Sequence, residues 1–380
     1  MPGIPANITI EGRAPATIKG NLPPLIDTAE AARGGFRAGD DSGGDNPVGV
    51  IFSENFDDQP DFTSTMYTTK AGQEVWNGNT LPDNWDALFQ GTERSPETGY
   101  PNNHASIEIL AANADKTRSG TGKSMVNWRE AYDPGKFASD SQMARLLGQE
   151  YDEIYVEFWI RFSDNWYSRN NIGSVTSKVF RVGHYAGPPA NIVNGQEGGI
   201  GPLFYWGYNH SNFGLQSNPA YRSGPPGENY FFNYDDYGLE QQYNYTSKTI
   251  GMAVGGGNPQ VVDQVNGGIL ADVDRYDFIS HDQLHGPTER WTKMAWYVKM
   301  NSAPGVADGV MMQWVNDQRV QIVETVPWAG TNTENKMVGW NYIAIGGNDY
   351  FLKAEEGTFL EDWYAIDDLV VRDSIPGELL

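Results

Sequence analysis

The sequence predicts an all-β protein: a sandwich of two antiparallel sheets preceded by an extended N-terminal arm. Residues that favour strands are abundant, with 20 Tyr, 16 Phe and 12 Trp among 380 residues. The 44 Gly and 22 Pro supply turns between short strands. Short runs of alternating apolar and polar residues recur after residue 47, as half-buried strands require.

Composition excludes several classes of function. The chain has no cysteine, so disulfides, cysteine-based zinc sites and thiol nucleophiles are ruled out. A formal net charge of -23 disfavours binding to nucleic acid or to an anionic membrane surface. We also expect no membrane span and no secretory signal, because no apolar run approaches about 20 residues and the start, Met1 to Asn7, has no apolar stretch.

Residues 1–47 are predicted to form an arm, because they are rich in Pro, Gly, Ala and Asp and hold a single short apolar patch, Leu25 to Ala32. Such a segment buries too little apolar surface to fold alone. We expect it to lie on its own globular body or on a neighbouring subunit. Residues 48–380 then form one domain.

Within that domain, alternation assigns strands and their faces. A first core strand is expected at Val48 to Phe52, and a closing strand at Trp363 to Val371. Between Glu153 and Phe162 the alternation places Ile154, Val156, Phe158, Ile160 and Phe162 on the core side. In the strand from Arg290 to Met300 the core side carries Met294, Trp296, Val298 and Met300. Trp296 and Trp314 are expected in the core.

Turn chemistry marks one hairpin and one long insertion. The pair Asn316-Asp317 predicts a tight turn between two strands. Residues 186–285 are dominated by Gly, Asn, Tyr, Pro and Gln, and are predicted to be a loop-rich, site-forming or partner-facing insertion.

Three passages together resemble the concanavalin A-like jelly rolls, and among them the jelly-roll polysaccharide lyases. They are Ser119-Gly120-Thr121-Gly122-Lys123-Ser124 with the strand from Tyr155 to Trp166, the run from Glu289 to Asp317, and the closing Ile366 to Val371. The resemblance covers residues 48 to 376 and implies a jelly-roll fold. It does not define an activity, because this fold serves many functions.

A lyase of this kind would remove the proton alpha to a uronate carboxylate and then eliminate the glycosidic oxygen. That chemistry needs a base and a cation or amide that stabilises the developing charge. The candidates are Lys178, Arg181, His184, Tyr185, Tyr208 and His210. Alternation places Lys178 and His184 on one face and Arg181 and Tyr185 on the other. The alternative is that all six are ordinary strand and loop residues. Hydrolysis by paired carboxylates is disfavoured, because the run from Glu150 to Tyr155 lacks the third acid of the related glucanases.

Glycan recognition without catalysis is the other carbohydrate hypothesis, because exposed aromatic rings stack on sugar rings. The candidate carbohydrate-binding residues are Tyr155, Trp159, Arg161, Tyr205, Trp206, Tyr230 and Tyr234.

A structural calcium ion is a further possibility that the resemblance implies, because related jelly rolls often join an early acidic residue to one on the closing strand. Glu54 or Asp57 with Asp367 or Asp368 would supply the oxygen ligands. The alternative is that these acids are solvated or cap turns.

Two functions therefore remain open. In the first, the protein is a structural or adhesive part of a virion, such as a phage particle, or of another extracellular assembly; its arm would mediate self-association and its jelly roll would contact a surface glycan. In the second, it is a lyase that cleaves a uronate-containing polysaccharide. Six cations decide between them, because convergence in one groove would favour the enzyme: Arg145, Arg161, Lys178, Arg181, Lys293 and Lys299.

Overall fold

A computed structural model describes residues 49–66, 80–90, 104–130, 137–166, 175–185, 200–211, 214–217, 220–222, 245–246, 288–304, 306, 308–326, 328–329, 337–350 and 361–380. These residues form two antiparallel sheets with a core between them, which confirms the all-β sandwich of the jelly-roll class. The predicted arm, residues 1–47, lies outside the described residues.

Nine described strands form sheet A. In the order in which they are hydrogen-bonded to one another, the strands of this sheet are β15, β14, β13, β7, β17, β5, β4 and β2. Strand β1 also pairs with β17. Their bounds are β1 Val50–Glu54, β2 Phe62–Thr63, β4 Ile107–Ile109, β5 Met125–Glu130, β7 Glu153–Phe162, β13 Thr292–Lys299, β14 Gly309–Val315, β15 Gln318–Val326 and β17 Glu361–Arg372.

Eight described strands form sheet B, in the order β12, β11, β9, β8, β16, β6, β3, with β10 paired to β9. Their bounds are β3 Ala87–Gln90, β6 Phe137–Tyr151, β8 Val175–Tyr185, β9 Ile200–Ser211, β10 Gly214–Ser217, β11 Ala220–Arg222, β12 Tyr245–Thr246 and β16 Trp340–Tyr350. Short 3-10 helices span Ser64–Met66, Ala111–Lys116 and Gly377–Leu379. No helix in the described ranges is long and apolar enough to cross a membrane.

The alternation in β7 and β13 is confirmed. All the residues predicted to face inward on these two strands belong to the core between the sheets. Aromatic rings fill its centre, where Trp296 lies 5.2 Å from Phe180 and 4.9 Å from Trp206 between ring centroids. Because such rings bury large apolar areas, this contact holds sheet A against sheet B.

The predicted hairpin and terminal strands are also present. Asn316 and Asp317 both have positive φ, 49° and 63°, as the central residues of a type I′ turn require, and Val315 pairs with Gln318 across it. Strand β1 pairs with the closing strand β17, so the two ends of the domain lie side by side.

Strands β9 to β12 lie within the predicted loop-rich stretch at 186–285 and extend sheet B. Strand β9 alternates Phe204 and Trp206 into the core, a pattern that the many glycines around it conceal. Trp314 is buried, but on the outer face of sheet A, where it packs with Tyr155 and the C-terminal residues Ile375 and Leu379.

Candidate functional site

The outer face of sheet B brings a cation onto the middle of a broad sheet. On β8, Phe180 and Val182 point into the core between the sheets. Arg181 lies between them in sequence, so its side chain is on the opposite face, where it is half-buried. Ala344 of β16 is its register partner on one side, and Tyr205 of β9 is its partner on the other.

Small residues form the floor around Arg181. Ala144 of β6 pairs with Ala344, and Gly183 of β8 pairs with Tyr342. A Cβ atom at Gly183 would lie 2.7 Å from Cε1 of the Tyr342 ring, so only glycine lets that ring lie against β8. The outer-face cluster that surrounds this floor consists of Ala87, Ala144, Leu146, Tyr185, Leu203, Tyr342 and Ala344.

A buried amide borders the same floor. Gln142 of β6 is two residues from Ala144 and therefore on the same face, and it is 3% exposed. The alternation of Ile343 and Ile345 around Ala344 was visible in the sequence, so Tyr342 and Gln142 could have been found by extending the strand analysis to β6 and β16.

Strand β9 places the predicted tyrosines beside β8. In register, Tyr205 pairs with Arg181, Tyr208 with Ser177, and His210 with Val175. Lys178 pairs with Gly207 next to a bulge in β8. The side chains of Lys178, Tyr205, Tyr208 and His210 lie outside the described part of the chain.

His184 lies on the wrong side of the sheet for a base that acts at Arg181. Its neighbours Gly183 and Tyr185 belong to the outer face, so its buried ring points to the core side. Nδ1 of His184 lies 3.0 Å from the carbonyl oxygen of Gly339. His184 thus links β8 to the residue before β16, and Oε1 of Glu150 lies 3.8 Å from the same Nδ1; its catalytic role stays a prediction.

Tyr185 does share the outer face with Arg181, as the alternation predicted. Its ring is buried in the outer-face cluster. The side chain of Asn341 accepts a hydrogen bond from the Tyr185 backbone N–H and donates one to its carbonyl oxygen, both at 2.8 Å. Asn341 thus fixes the backbone of Tyr185 at one end of the floor.

Of the aromatic residues predicted to stack on sugars, the three whose side chains the structure describes do not form a shared platform. Trp206 is wholly buried in the core, and Tyr155 is buried on the outer face of sheet A, where its hydroxyl donates to Glu157 at 2.8 Å. Trp159 lies on that same face and is half-buried, with the Arg118 guanidinium stacked 4.1 Å from its ring centroid. Tyr230 and Tyr234 fall outside the described residues.

The predicted cations whose side chains the structure describes do not converge in one groove. Arg145 pairs with Asp86 at 3.2 Å. Lys293 lies on the outer face of sheet A between Glu157 and Asp317, 2.9 Å from each, and Lys299 approaches Glu153 there. Arg161, also on that face, donates to the carbonyl oxygen of Asp115 at 2.9 Å. Among the described side chains of these six, Arg181 is the one on the outer face of sheet B.

The four predicted calcium ligands lie near the pairing of β1 with β17. Oε1 of Glu54 accepts from the N–H of Phe56 at 2.7 Å and Oε2 accepts from Gln59 at 2.5 Å. Asp57, Asp367 and Asp368 also accept hydrogen bonds from protein donors. Among the described residues, no group of three or more His, Asp or Glu side chains is arranged to hold a metal ion. The calcium site stays a prediction.

Asp367 is the carboxyl group most perturbed by this arrangement. Burial raises its pKa to about 8, and the nearby charges of Asp368 and Asp57 add to the effect. Between the ordinary pKa of an aspartate and about pH 8, Asp367 therefore binds a proton in the folded protein but not in the unfolded chain. The resulting stabilisation is complete below the unfolded pKa and is lost as pH rises through the folded one.

We expect the free energy of unfolding to fall with rising pH across this window, by up to about 1.4 kcal/mol per pH unit for one proton. Asp367→Asn should remove that part of the slope, because the amide does not ionise. Urea unfolding at a series of pH values from about 5 to 9 measures the difference between the two proteins. Equal slopes would show that Asp367 ionises in the folded state as it does in the unfolded chain. Asp164→Asn, an exposed acid in the turn after β7, is the matched control.

Comparison with known proteins gives structural likeness alone. No family model and no curated protein matches the chain. The fold is similar to that of alginate lyase Aly36B, at 13% identity and a TM-score of 0.39, over 86% of this chain and 98% of that one. It is also similar to alginate lyase AlyC3, at 9% identity and a TM-score of 0.40, over 83% and 90% of the two chains. The marine PL-14 alginate lyase from Aplysia kurodai is 12% identical, with a TM-score of 0.37, over 70% of this chain and 86% of that one. The fold assignment itself rests on the two sheets described above.

Proposed function

We propose that the protein is a polysaccharide lyase that acts on a uronate-containing polymer bound to the outer face of sheet B. The observation that carries the proposal is the register of Arg181 opposite Tyr205 beside a floor of alanine and glycine. Directly opposed residues of antiparallel strands have Cβ atoms about 5 Å apart. A cation and a phenol at that spacing can both reach one sugar ring.

The two residues supply the groups that the elimination needs. Arg181 would bind the uronate carboxylate and stabilise the charge that develops on it when the alpha proton leaves. Tyr205, as phenolate, would remove that proton; the C4–O glycosidic bond then breaks, a C4–C5 double bond forms, and the Tyr205 hydroxyl gives the proton to the leaving glycosidic oxygen.

The scattering of the other cations is compatible with this reaction. Neutralising one carboxylate at the reacting sugar requires one well-placed cation, whereas tight binding of a long polyanion requires many. We therefore infer that the polymer is held largely by contacts other than ion pairs.

The test is release of unsaturated uronate products, followed by ultraviolet absorbance, from alginate, glucuronan and pectin-like polymers. We expect activity on one of these polymers. Tyr205→Phe should lower kcat at least about 100-fold while changing KM little, because it removes the hydroxyl and keeps the ring. Tyr297→Phe is the matched control, since Tyr297 lies on sheet A and donates to Glu153; it should keep full activity.

Other outcomes would contradict the lyase proposal in different ways. Binding of these polymers without any unsaturated product would leave glycan recognition alone. The protein could also neither bind nor cleave these polymers, and could sediment as an oligomer only when residues 1–47 are present. That result would favour a structural component of a larger assembly.

A further inference from the structure

The two ends of the domain meet at an acidic junction. Strand β1 pairs with β17, and Glu54 is opposite Leu369. The pairing of β17 with β7 shifts between Asp367 and Val370, and Asp368 in this bulge has φ 48°. The bulge brings Asp367 and Asp368 towards Asp57, which follows β1, closely enough for the charges of Asp57 and Asp368 to act on Asp367.

The loop that carries Arg118 and Lys123 donates hydrogen bonds to each of these three acids. The N–H of Arg118 donates to Oδ2 of Asp367 at 3.0 Å, and the Arg118 guanidinium donates to Oδ2 of Asp368. The N–H of Lys123 donates to Oδ1 of Asp57 at 2.9 Å. The remaining oxygen of Asp367, Oδ1, accepts from the N–H of Asp368 at 2.9 Å.

The loop is shaped to bring its cation to this place. Gly122 has φ 80°, and any side chain there would overlap the Asp57 carboxylate, so the loop approaches Asp57 as closely as a backbone can. The Arg118 guanidinium also lies over the Trp159 ring, 4.1 Å from its centroid. The side chains of Arg118 and Asp368 are each 13% exposed, so their ion pair is largely shielded from solvent.

We propose that the Arg118 guanidinium is the cation that neutralises the acidic side chains at this junction, in place of a structural calcium ion. The protein therefore needs no metal there. A calcium ion requires six to eight oxygen ligands. Here both oxygens of Asp367 face N–H groups, and a guanidinium occupies the side of Asp368 that a metal would share. Binding a metal would therefore require displacement of a positive charge that is already in place.

Thermal unfolding of the full chain, with EDTA or with calcium up to about 10 mM, tests the proposal, because that concentration exceeds the dissociation constants of weak protein calcium sites. The midpoint of the wild-type protein should be the same with EDTA, calcium or magnesium. Arg118→Ala should have a lower midpoint that calcium, and not magnesium, raises by several degrees, because the freed carboxylates gain a cation. The midpoint of Arg118→Lys, like that of the wild-type protein, should not change with calcium.

Two control variants separate this effect from ordinary destabilisation. Arg161→Ala removes another guanidinium from the same sheet face, 5.4 Å from the Trp363 ring, that donates to a backbone carbonyl oxygen. It should gain no calcium response. Adding Asp368→Asn to Arg118→Ala should weaken the calcium response. Calcium binding to the wild-type protein by calorimetry, lost in Asp367→Asn, would overturn the proposal whether or not Arg118→Ala folds. An Arg118→Ala protein that ignores calcium would overturn it too.

Discussion

Arg181→Ala is expected to lower kcat/KM for elimination at least about 100-fold, because the charge that develops on the uronate carboxylate loses its counter-charge. Among the described side chains of the six predicted cations, Arg181 is the one on the outer face of sheet B, so no other described side chain of that set can replace it. Arg181→Lys should retain more activity than Arg181→Ala, since the positive charge remains while the paired donors are lost. Initial rates of unsaturated product formation measure both variants.

The matched control for Arg181 is Arg290→Ala. Arg290 is an exposed arginine in the turn before β13, so its removal changes the net charge equally and leaves sheet B intact. It should have wild-type kinetics at moderate salt. If Arg181→Ala kept wild-type kcat/KM on a polymer that the wild-type protein cleaves, the reacting sugar would have to lie elsewhere on the molecule.

The elements that the sequence predicted correctly are those whose pattern depends on neighbours along the chain. In β7, five apolar residues alternate without a break, so only one face could enter the core. Asn316-Asp317 forms its turn because both residues tolerate positive φ. These signals are local, and no contact with a distant strand was needed to read them.

The candidate site depended on information of another kind. Alternation correctly separated Arg181 and Tyr185 from His184, but period two cannot say which face of a strand is the inner one. That choice is made by the packing of Phe180 against Trp296 of the other sheet, in a core that also contains Val182. Consecutive strands also belong to different sheets, since β7 is in sheet A and β8 is in sheet B. The sequence therefore grouped Trp159 with Tyr205, although their strands lie in different sheets.

The environment of the aromatic residues outside the core also depends on contacts between distant parts of the chain. Trp159 was correctly predicted to face away from the core, yet a ring outside the core is not always open to a ligand. The loop that carries Arg118 folds back over it, and Lys116 lies over Trp128 and Trp363 in the same way, 5.4 Å from each ring centroid. Arg118 is far from Trp159 in sequence, and so is Lys116 from Trp363, and composition gives no sign of these contacts.

Loss of the Arg129 side chain is expected to be the most destabilising change among the charged residues discussed. Arg129 of β5 donates from Nε and Nη2 to the two oxygens of Asp362 on β17, at 2.9 and 3.0 Å. The two side chains are 1% and 0% exposed, and the guanidinium lies 3.2 Å from the Trp166 ring centroid. Arg129→Met should lower the free energy of unfolding by about 3–5 kcal/mol, because it leaves a buried carboxylate without its partner. Urea unfolding at neutral pH measures the change through the transition midpoint and slope.

The double variant Arg129→Met with Asp362→Leu distinguishes the cost of an unpaired charge from the loss of packing. Removing both charges spares the desolvation of a lone carboxylate, so most of the lost stability should return. Arg372→Met is the single-variant control, since Arg372 ends the same strand β17 and is half-buried; its cost should stay below about 1 kcal/mol. If the double variant were as unstable as Arg129→Met, the stacking of the guanidinium on Trp166 would account for the effect and the ion pair would contribute little.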